Sequence, residues 1–293
     1  MAIRNGKELI MVNEKYHGLG TAPSVIRELF AYGLQQAKVV GKENVYDYSL
    51  GNPSIPAPAK VNETIKKLVD TEDSIQLHGY SMAPGFENVR QAIADNLNER
   101  FGVNAKANEL FMTCGCAPAL VSVAHALTTS PEDEFVAIAP FFPEYNVFFT
   151  CAGAKLTVVP ADTVHFQIDM DALEKTINEH SVAVVINSPN NPSGVVYTEG
   201  TLKAIAELLD RKSKEYGHPI YIIADEPYRE LVYDGVKVTF IPTVYDNTIV
   251  CYSWSKSLSL PGERIGYVYV PEKLYMIRLP ALLARSDLYA LRL

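Results

Sequence analysis

Apolar runs of strand length recur near residues 110–114, 135–139, 155–159, 182–187, 220–224, 248–252 and 265–270. Helical patterns near 87–100, 117–129, 171–179 and 200–216 alternate with them. The runs Val182-Ala183-Val184-Val185-Ile186 and Ile220-Tyr221-Ile222-Ile223-Ala224 are apolar at every position, the pattern of a fully buried strand. Strands alternating with helices predict an α/β fold with a mainly parallel mixed sheet sandwiched by helices. An amphipathic stretch from Val25 to Val40 precedes this series. The chain shows no repeat, low-complexity tract or long linker.

Polar residues gather where the buried runs stop. The first ends in Asn187-Ser188-Pro189-Asn190-Asn191-Pro192-Ser193-Gly194 and the second in Asp225-Glu226-Pro227-Tyr228. Ligands of open α/β sheets bind at the carboxyl ends of strands, which puts Asn191, Asp225 and Tyr228 at a candidate site. Further on, the stretch from Ser253 to Gly266 sets Lys256 among small hydroxyl residues and Arg264 eight positions later. A lysine becomes a covalent catalyst by condensing with a carbonyl, and pyridoxal 5'-phosphate is the cofactor that most often uses one. The planar fork of Arg264 and the hydroxyls of Ser253 and Ser255 suit a phosphate dianion. A polar surface turn is the plain alternative. Leu110 to Leu120 reads as a strand, a small-residue turn and a helix start. Gly115 allows close backbone approach, and the orphan N–H groups of a first helical turn favour an anion. An ordinary βα loop would look the same.

Asn191-Pro192-Ser193-Gly194, Asp225-x-x-Tyr228 and Ser253-x-Ser255-Lys256 with Arg264 follow one another in the order of a known signature. Over roughly residues 15 to 270 the chain resembles the fold-type I pyridoxal-phosphate enzymes, specifically the class I/II aminotransferases, with an aspartate-aminotransferase-like pattern nearest. The resemblance implies that Lys256 carries the cofactor as an internal aldimine and, once displaced, acts as general base. It implies that Asp225 pairs with the pyridinium nitrogen while Tyr228 and Asn191 hydrogen-bond the phenolic oxygen. Backbone N–H groups around Gly115, Cys116 and Ala117 would hold the phosphate with Ser253, Ser255 and Arg264, although Cys116 and Ala117 depart from the family's usual residues. Phe142, in Pro140-Phe141-Phe142-Pro143-Glu144-Tyr145, matches the aromatic that stacks on the ring; a core aromatic is the alternative. Tyr80 matches a tyrosine that reaches the phosphate from a partner subunit, which implies a homodimer, with a surface turn tyrosine as the alternative. Gly51 and Asn191 match substrate-side positions. The activity implied is transfer of an amino group from an L-amino acid to a 2-oxo acid. A lyase or synthase of the same fold, or a non-catalytic cofactor-binding fragment, are the competing readings.

The same resemblance divides the chain into residues 1–50 as an N-terminal arm with part of a small domain, 51–270 as a large cofactor-binding domain, and 271–293 as an atypical tail. Relatives continue past this point into a connecting helix and a small domain. The expectation is therefore a truncated chain with an incomplete small domain. The arginine that pairs with the substrate's α-carboxylate is expected to be missing, and Arg278, Arg285 and Arg292 cannot be assigned its task.

Composition changes this picture little. A chain of 293 residues with 48% hydrophobic and 20% charged content is ordinary globular material. Its formal net charge of −8 argues against sequence-independent nucleic-acid binding. No apolar run approaches the roughly 20 residues that span a bilayer, and the N-terminus has no apolar signal core, so a cytoplasmic protein without membrane partners is expected. Cys114, Cys116, Cys151 and Cys251 form no zinc-type pairs and the six histidines no cluster, so reduced thiols and no metal are expected.

Overall fold

The computed structural model describes residues 3–4, 7–8, 13–23 and 25–274. The chain divides into two compact units, Met1–Ser54 and Ile55–Leu293. In the first, the short strands β1 (Ile3–Arg4) and β2 (Lys7–Glu8) pair antiparallel. Helix α1 (Glu14–Thr21) is capped by Asn13, whose side chain accepts from the N–H groups of Lys15 at 3.0 Å and Tyr16 at 3.3 Å. Helix α2 (Val25–Val40) is the amphipathic stretch read in the sequence.

The second unit begins with α3 (Ala59–Thr71), α4 (Ser74–His78) and α5 (Glu87–Phe101). It continues through β3 (Leu110–Thr113), α6 (Cys116–Leu127), β4 (Glu134–Ile138), α7 (Glu144–Cys151), β5 (Lys155–Val159) and α8 (Met170–Thr176). Then come β6 (Ser181–Asn187), α9 (Glu199–Tyr216), β7 (Tyr221–Asp225), β8 (Thr248–Ser253) and β9 (Gly266–Tyr269). The sheet has seven strands in the order β3-β9-β8-β7-β6-β4-β5. Neighbours from β8 to β5 run parallel, whereas β9 lies antiparallel to both β3 and β8. That exception follows from the connection: a compact turn from 254 to 265 joins β8 to β9, and parallel neighbours would need a longer crossover.

A strand sends successive side chains to opposite faces, and here both faces are covered. On one face Val184, Ile186, Ile222, Ala224 and Val250 pack with Ile93 and Leu97 of α5, Leu173 of α8, and Leu202, Ile205 and Leu209 of α9. On the other, Ala183, Val185, Ile223, Ile249 and Cys251 pack with Leu120 and Val123 of α6 and with Tyr145 and Phe149 of α7. Double coverage explains why the central strands are apolar at every position. Helices α3, α4 and α7 are absent from the sequence reading. Tyr145 and Phe149 lie one helical turn apart and are both buried, which sets the inward stripe of α7. The strands end in register, with Asn187 beside Asp225 and Asp225 beside Cys251, so their polar tails share one edge of the sheet.

Candidate active site

Asp225 is the last residue of β7 and is buried. Its carboxylate accepts from the Cys116 thiol at 3.0 Å and from the Tyr145 hydroxyl. Burial raises the Asp225 pKa, while the Cys116 and Tyr145 hydrogen bonds act against that rise. Burial, then the Asp225 charge, holds both donors far above their ordinary values, so Cys116 and Tyr145 stay protonated. The backbone is fixed as firmly. Asn187 donates its amide to the Asp225 carbonyl at 2.8 Å and accepts from the Asn191 N–H at 2.6 Å. This one side chain ties the end of β7 to the loop after β6. The Asn191 amide then donates to the Tyr228 hydroxyl at 3.3 Å. Burial, then Asp225, raises the Tyr228 pKa against the opposing Asn191 hydrogen bond, which keeps the phenol a donor.

A second group lies at the end of β3. Gly115 has φ 104° and ψ 176°, a region that is essentially glycine-only, and it opens α6 with no side-chain cap. A Cβ added there would stand 2.8 Å from Nη2 of Arg264, so the guanidinium lies directly over the turn. Arg264 Nη1 donates to the Pro261 carbonyl at 2.9 Å, and the Thr113 hydroxyl donates to the Gly115 carbonyl at 2.9 Å. Gly266 makes the approach possible: a Cβ on it would meet the Gly115 Cα at 2.9 Å. The result is a ready anion cradle, with uncapped N–H groups of a 12-residue helix on one side and an exposed guanidinium on the other.

The Lys256 turn leaves β8 immediately after Ser253, whose hydroxyl donates to Ser255 at 3.2 Å. Trp254 N–H bonds the Ile265 carbonyl at 3.3 Å, and Ser259 N–H bonds the Lys256 carbonyl at 3.3 Å, which close the turn. Partial burial lowers the Lys256 pKa, increasing the neutral amine fraction.

Asp225, Cys116, Asn191 and Tyr228 thus come together, as do Gly115 and Arg264, and the adjacency of Gly115 to Cys116 joins the two groups. Ala117 lies in the first turn of α6. Phe142 meets Tyr145 edge-on at 5.8 Å, which sets it beside the Asp225 cluster. Tyr80 is not brought in; its side chain is fully exposed. Gly51 belongs to the first unit. Arg278, Arg285 and Arg292 lie outside the described residues, as does most of the 271–293 tail. Sequence reasoning missed Asn187 and Tyr145. Both stand inside stretches singled out for other residues, and only their distant partners give them a role. Cys116 was expected to contribute its backbone, and its side chain has a further role as donor to Asp225. All four cysteines are free thiols. No helix among the described residues is long and apolar enough to cross a membrane.

Residues 42–285 match the family profile described as "Aminotransferase class I and II". The chain is 29% identical over 249 residues to a probable N-acetyl-LL-diaminopimelate aminotransferase of Bacillus subtilis, covering 84% of this chain and 61% of the relative. It is 30% identical to an arginine–pyruvate transaminase of Pseudomonas aeruginosa, covering 81% of this chain and 58% of the relative. An amino transferase crystal structure from Eubacterium rectale superposes with a TM-score of 0.91 at 59% identity, over 94% of this chain and 69% of that one. The chain spans about three-fifths of the length of the curated relatives it matches. With a family profile matching most of its length, the chain belongs to the class I and II aminotransferases.

Proposed function

We propose that this chain holds pyridoxal 5'-phosphate, the cofactor of its family, and takes part in moving an amino group from an L-amino acid to a 2-oxo acid. The observation that carries the reading is Asp225: a buried carboxylate at a strand end, supported by neutral donors only, is set to receive a cationic ring nitrogen. The cradle fits the other end of the cofactor. Gly115, Cys116 and Ala117 would offer backbone N–H groups to the phosphate, with Ser253, Ser255 and Arg264 completing its shell. Tyr228, positioned by Asn191, would donate to the phenolic oxygen. Phe142 would cover one ring face. When bound, the cofactor supplies an electron-poor ring that accepts the charge left at the substrate's α-carbon.

Each remaining role follows from a side chain of this protein. Asp225 keeps a proton at the ring nitrogen. Lys256 would hold the cofactor through Nζ, its lowered pKa favouring the neutral amine, and the same amine would move the substrate's α-proton. Tyr80 serves a second copy of the chain, and the exposed Ile75, Met82 and Phe86 near it in sequence support a homodimer. Residues 1–50 would serve as an arm and part of a small domain, and Asn191 would face the substrate; for Gly51 a substrate-side role rests on the family resemblance alone. A cytoplasmic location agrees with the absence of a membrane-spanning helix among the described residues.

The test is incubation with pyridoxal phosphate and a panel of amino donors. Release of the matching 2-oxo acid without ammonia supports the reading. Ammonia release marks a lyase, and no bound cofactor removes the reading altogether.

A further inference from the structure

The segments that carry Asp225, Tyr228 and Lys256 also carry Glu226, Arg229 and Ser257 as immediate neighbours, and these three belong to one hydrogen-bonded chain away from the Asp225 cluster. Arg229, buried, donates through Nη1 to Glu226 at 2.7 Å and through Nε to Glu230 at 3.3 Å. Arg100 donates to the same Glu230 oxygen at 2.9 Å. The Tyr252 hydroxyl donates to the other Glu230 oxygen at 3.0 Å and lies 2.9 Å from the Ser257 hydroxyl. The chain therefore starts beside Asp225 and ends beside Lys256.

We propose that Tyr252 and Ser257 are positioning residues for Lys256, linking its turn to the Glu226–Arg229–Glu230 ion cluster at the end of β7. Two observations give that link its weight. On this side the turn borders open space: Trp254, which packs on the rings of Tyr252 at 5.4 Å and Tyr267 at 5.5 Å, lines a cavity of about 650 Å³ together with Ser257, Leu258, Glu230 and Val89 of α5. Beyond Trp254, the hydroxyl pair of Tyr252 and Ser257 at 2.9 Å adds a directional tie to the turn at the edge of that space. The anchoring end is rigid, because the Arg229 guanidinium lies 4.4 Å from the Tyr252 ring centroid, 5.0 Å from that of Phe101 and 5.3 Å from that of Phe240. Tyr252 is thus held by its ring and reaches the lysine turn with its hydroxyl.

The inference rests on the proposed role of Lys256, and one experiment separates the two. The chain is exposed to pyridoxal phosphate, reduced with borohydride at intervals, and the labelled lysines are mapped and timed, with surface lysines as internal references. Tyr252→Phe and Ser257→Ala should each slow labelling of Lys256 about three- to tenfold, the size expected of one hydrogen bond, and leave the reference lysines unchanged. The double variant should be no slower than either single one, because both cut the same link. Ser257→Thr, which keeps the hydroxyl, should restore the rate. Equal rates in all variants, or additive losses, would overturn the positioning role while leaving Lys256 as the attachment point. Absence of label at Lys256 in the unmodified chain would overturn both readings. Labelling that rises at every lysine of the single variants would show loss of structure in place of loss of position, and would likewise overturn it.

Discussion

Asp225 and Glu226 are consecutive, both buried, and surrounded in opposite ways. Asp225 rests against a thiol and a phenol on the α6 and α7 side of the sheet, and among the described residues it makes no ion pair. Glu226 pairs with Arg229, itself wrapped in aromatic rings. Burial pushes the Glu226 pKa up to about 7 even against the Arg229 charge. Burial works against the Arg229 charge as well, but Tyr267 and the carboxylates of Glu226 and Glu230 outweigh it and raise the Arg229 pKa. One carboxylate therefore has its cation inside the fold, and in the proposed function the other would take one from the cofactor. Under the proposed function, the difference separates an ion cluster from a cofactor-binding group by one residue of chain.

The largest effect expected from this contrast is on stability. Arg229→Leu leaves Glu226 buried without its counter-charge and should cost about 3–5 kcal/mol at pH 8, read by chemical denaturation. The loss should shrink toward pH 5 as Glu226 takes up a proton. Asp225→Asn should do the reverse, leaving denaturation at pH 8 within about 1 kcal/mol of the parent because no ion pair is lost. Its transamination should nevertheless fall about 10²–10³-fold, the cost of losing one electrostatic partner of the reacting charge. A stability loss as large as that of Arg229→Leu would erase the distinction between the two carboxylates.

Gly115→Ala sharpens the comparison at the cradle. Its backbone strain of about 1–3 kcal/mol and the displacement of Arg264 should weaken pyridoxal-phosphate binding about tenfold or more, measured by equilibrium titration. Binding unchanged from the parent would detach Gly115 and Arg264 from the phosphate. The smallest effect is a pH profile. The Glu226 pKa is higher in the folded than in the unfolded state, so its contribution is complete below about pH 4.5 and is lost as pH rises through about 7. Glu226→Gln should therefore flatten the melting-temperature profile between pH 5 and 8 by about 2–4 °C. A profile parallel to the parent's would assign the titration to another group.

The fold was legible wherever burial was uniform. Every one of the seven predicted strands is present within a residue or two, because central strands covered on both faces leave unbroken apolar runs. Helix α7 was not legible: Phe148-Phe149 in a short segment whose single charge is Glu144 reads equally well as strand, and the burial of Tyr145 and Phe149 against the sheet decides for a helix. The site divides in the same way. Lys256, Arg264, Asp225 and Tyr228 carry chemistry in their residue types, so spacing and resemblance suffice to single them out. Asn187, Tyr145, Tyr252 and Ser257 act through hydrogen bonds whose partners are set by the pairing of distant segments, and an ordinary asparagine, tyrosine or serine carries no mark of that use.

The place of β9 has a consequence for how the molecule is made. Among the described residues, the one strand that pairs with β3 is β9, with Leu110 beside Tyr269. On a ribosome the first strand of the large sheet must therefore wait for the last, and the intervening strands gather before either edge of that gap is filled. Until β9 arrives, Gly115 has no Gly266 to rest on and the turn that begins α6 lacks Arg264 above it. The anion cradle is thus a late product of synthesis, and under the proposed function capture of the cofactor there would report that β9 has joined the sheet.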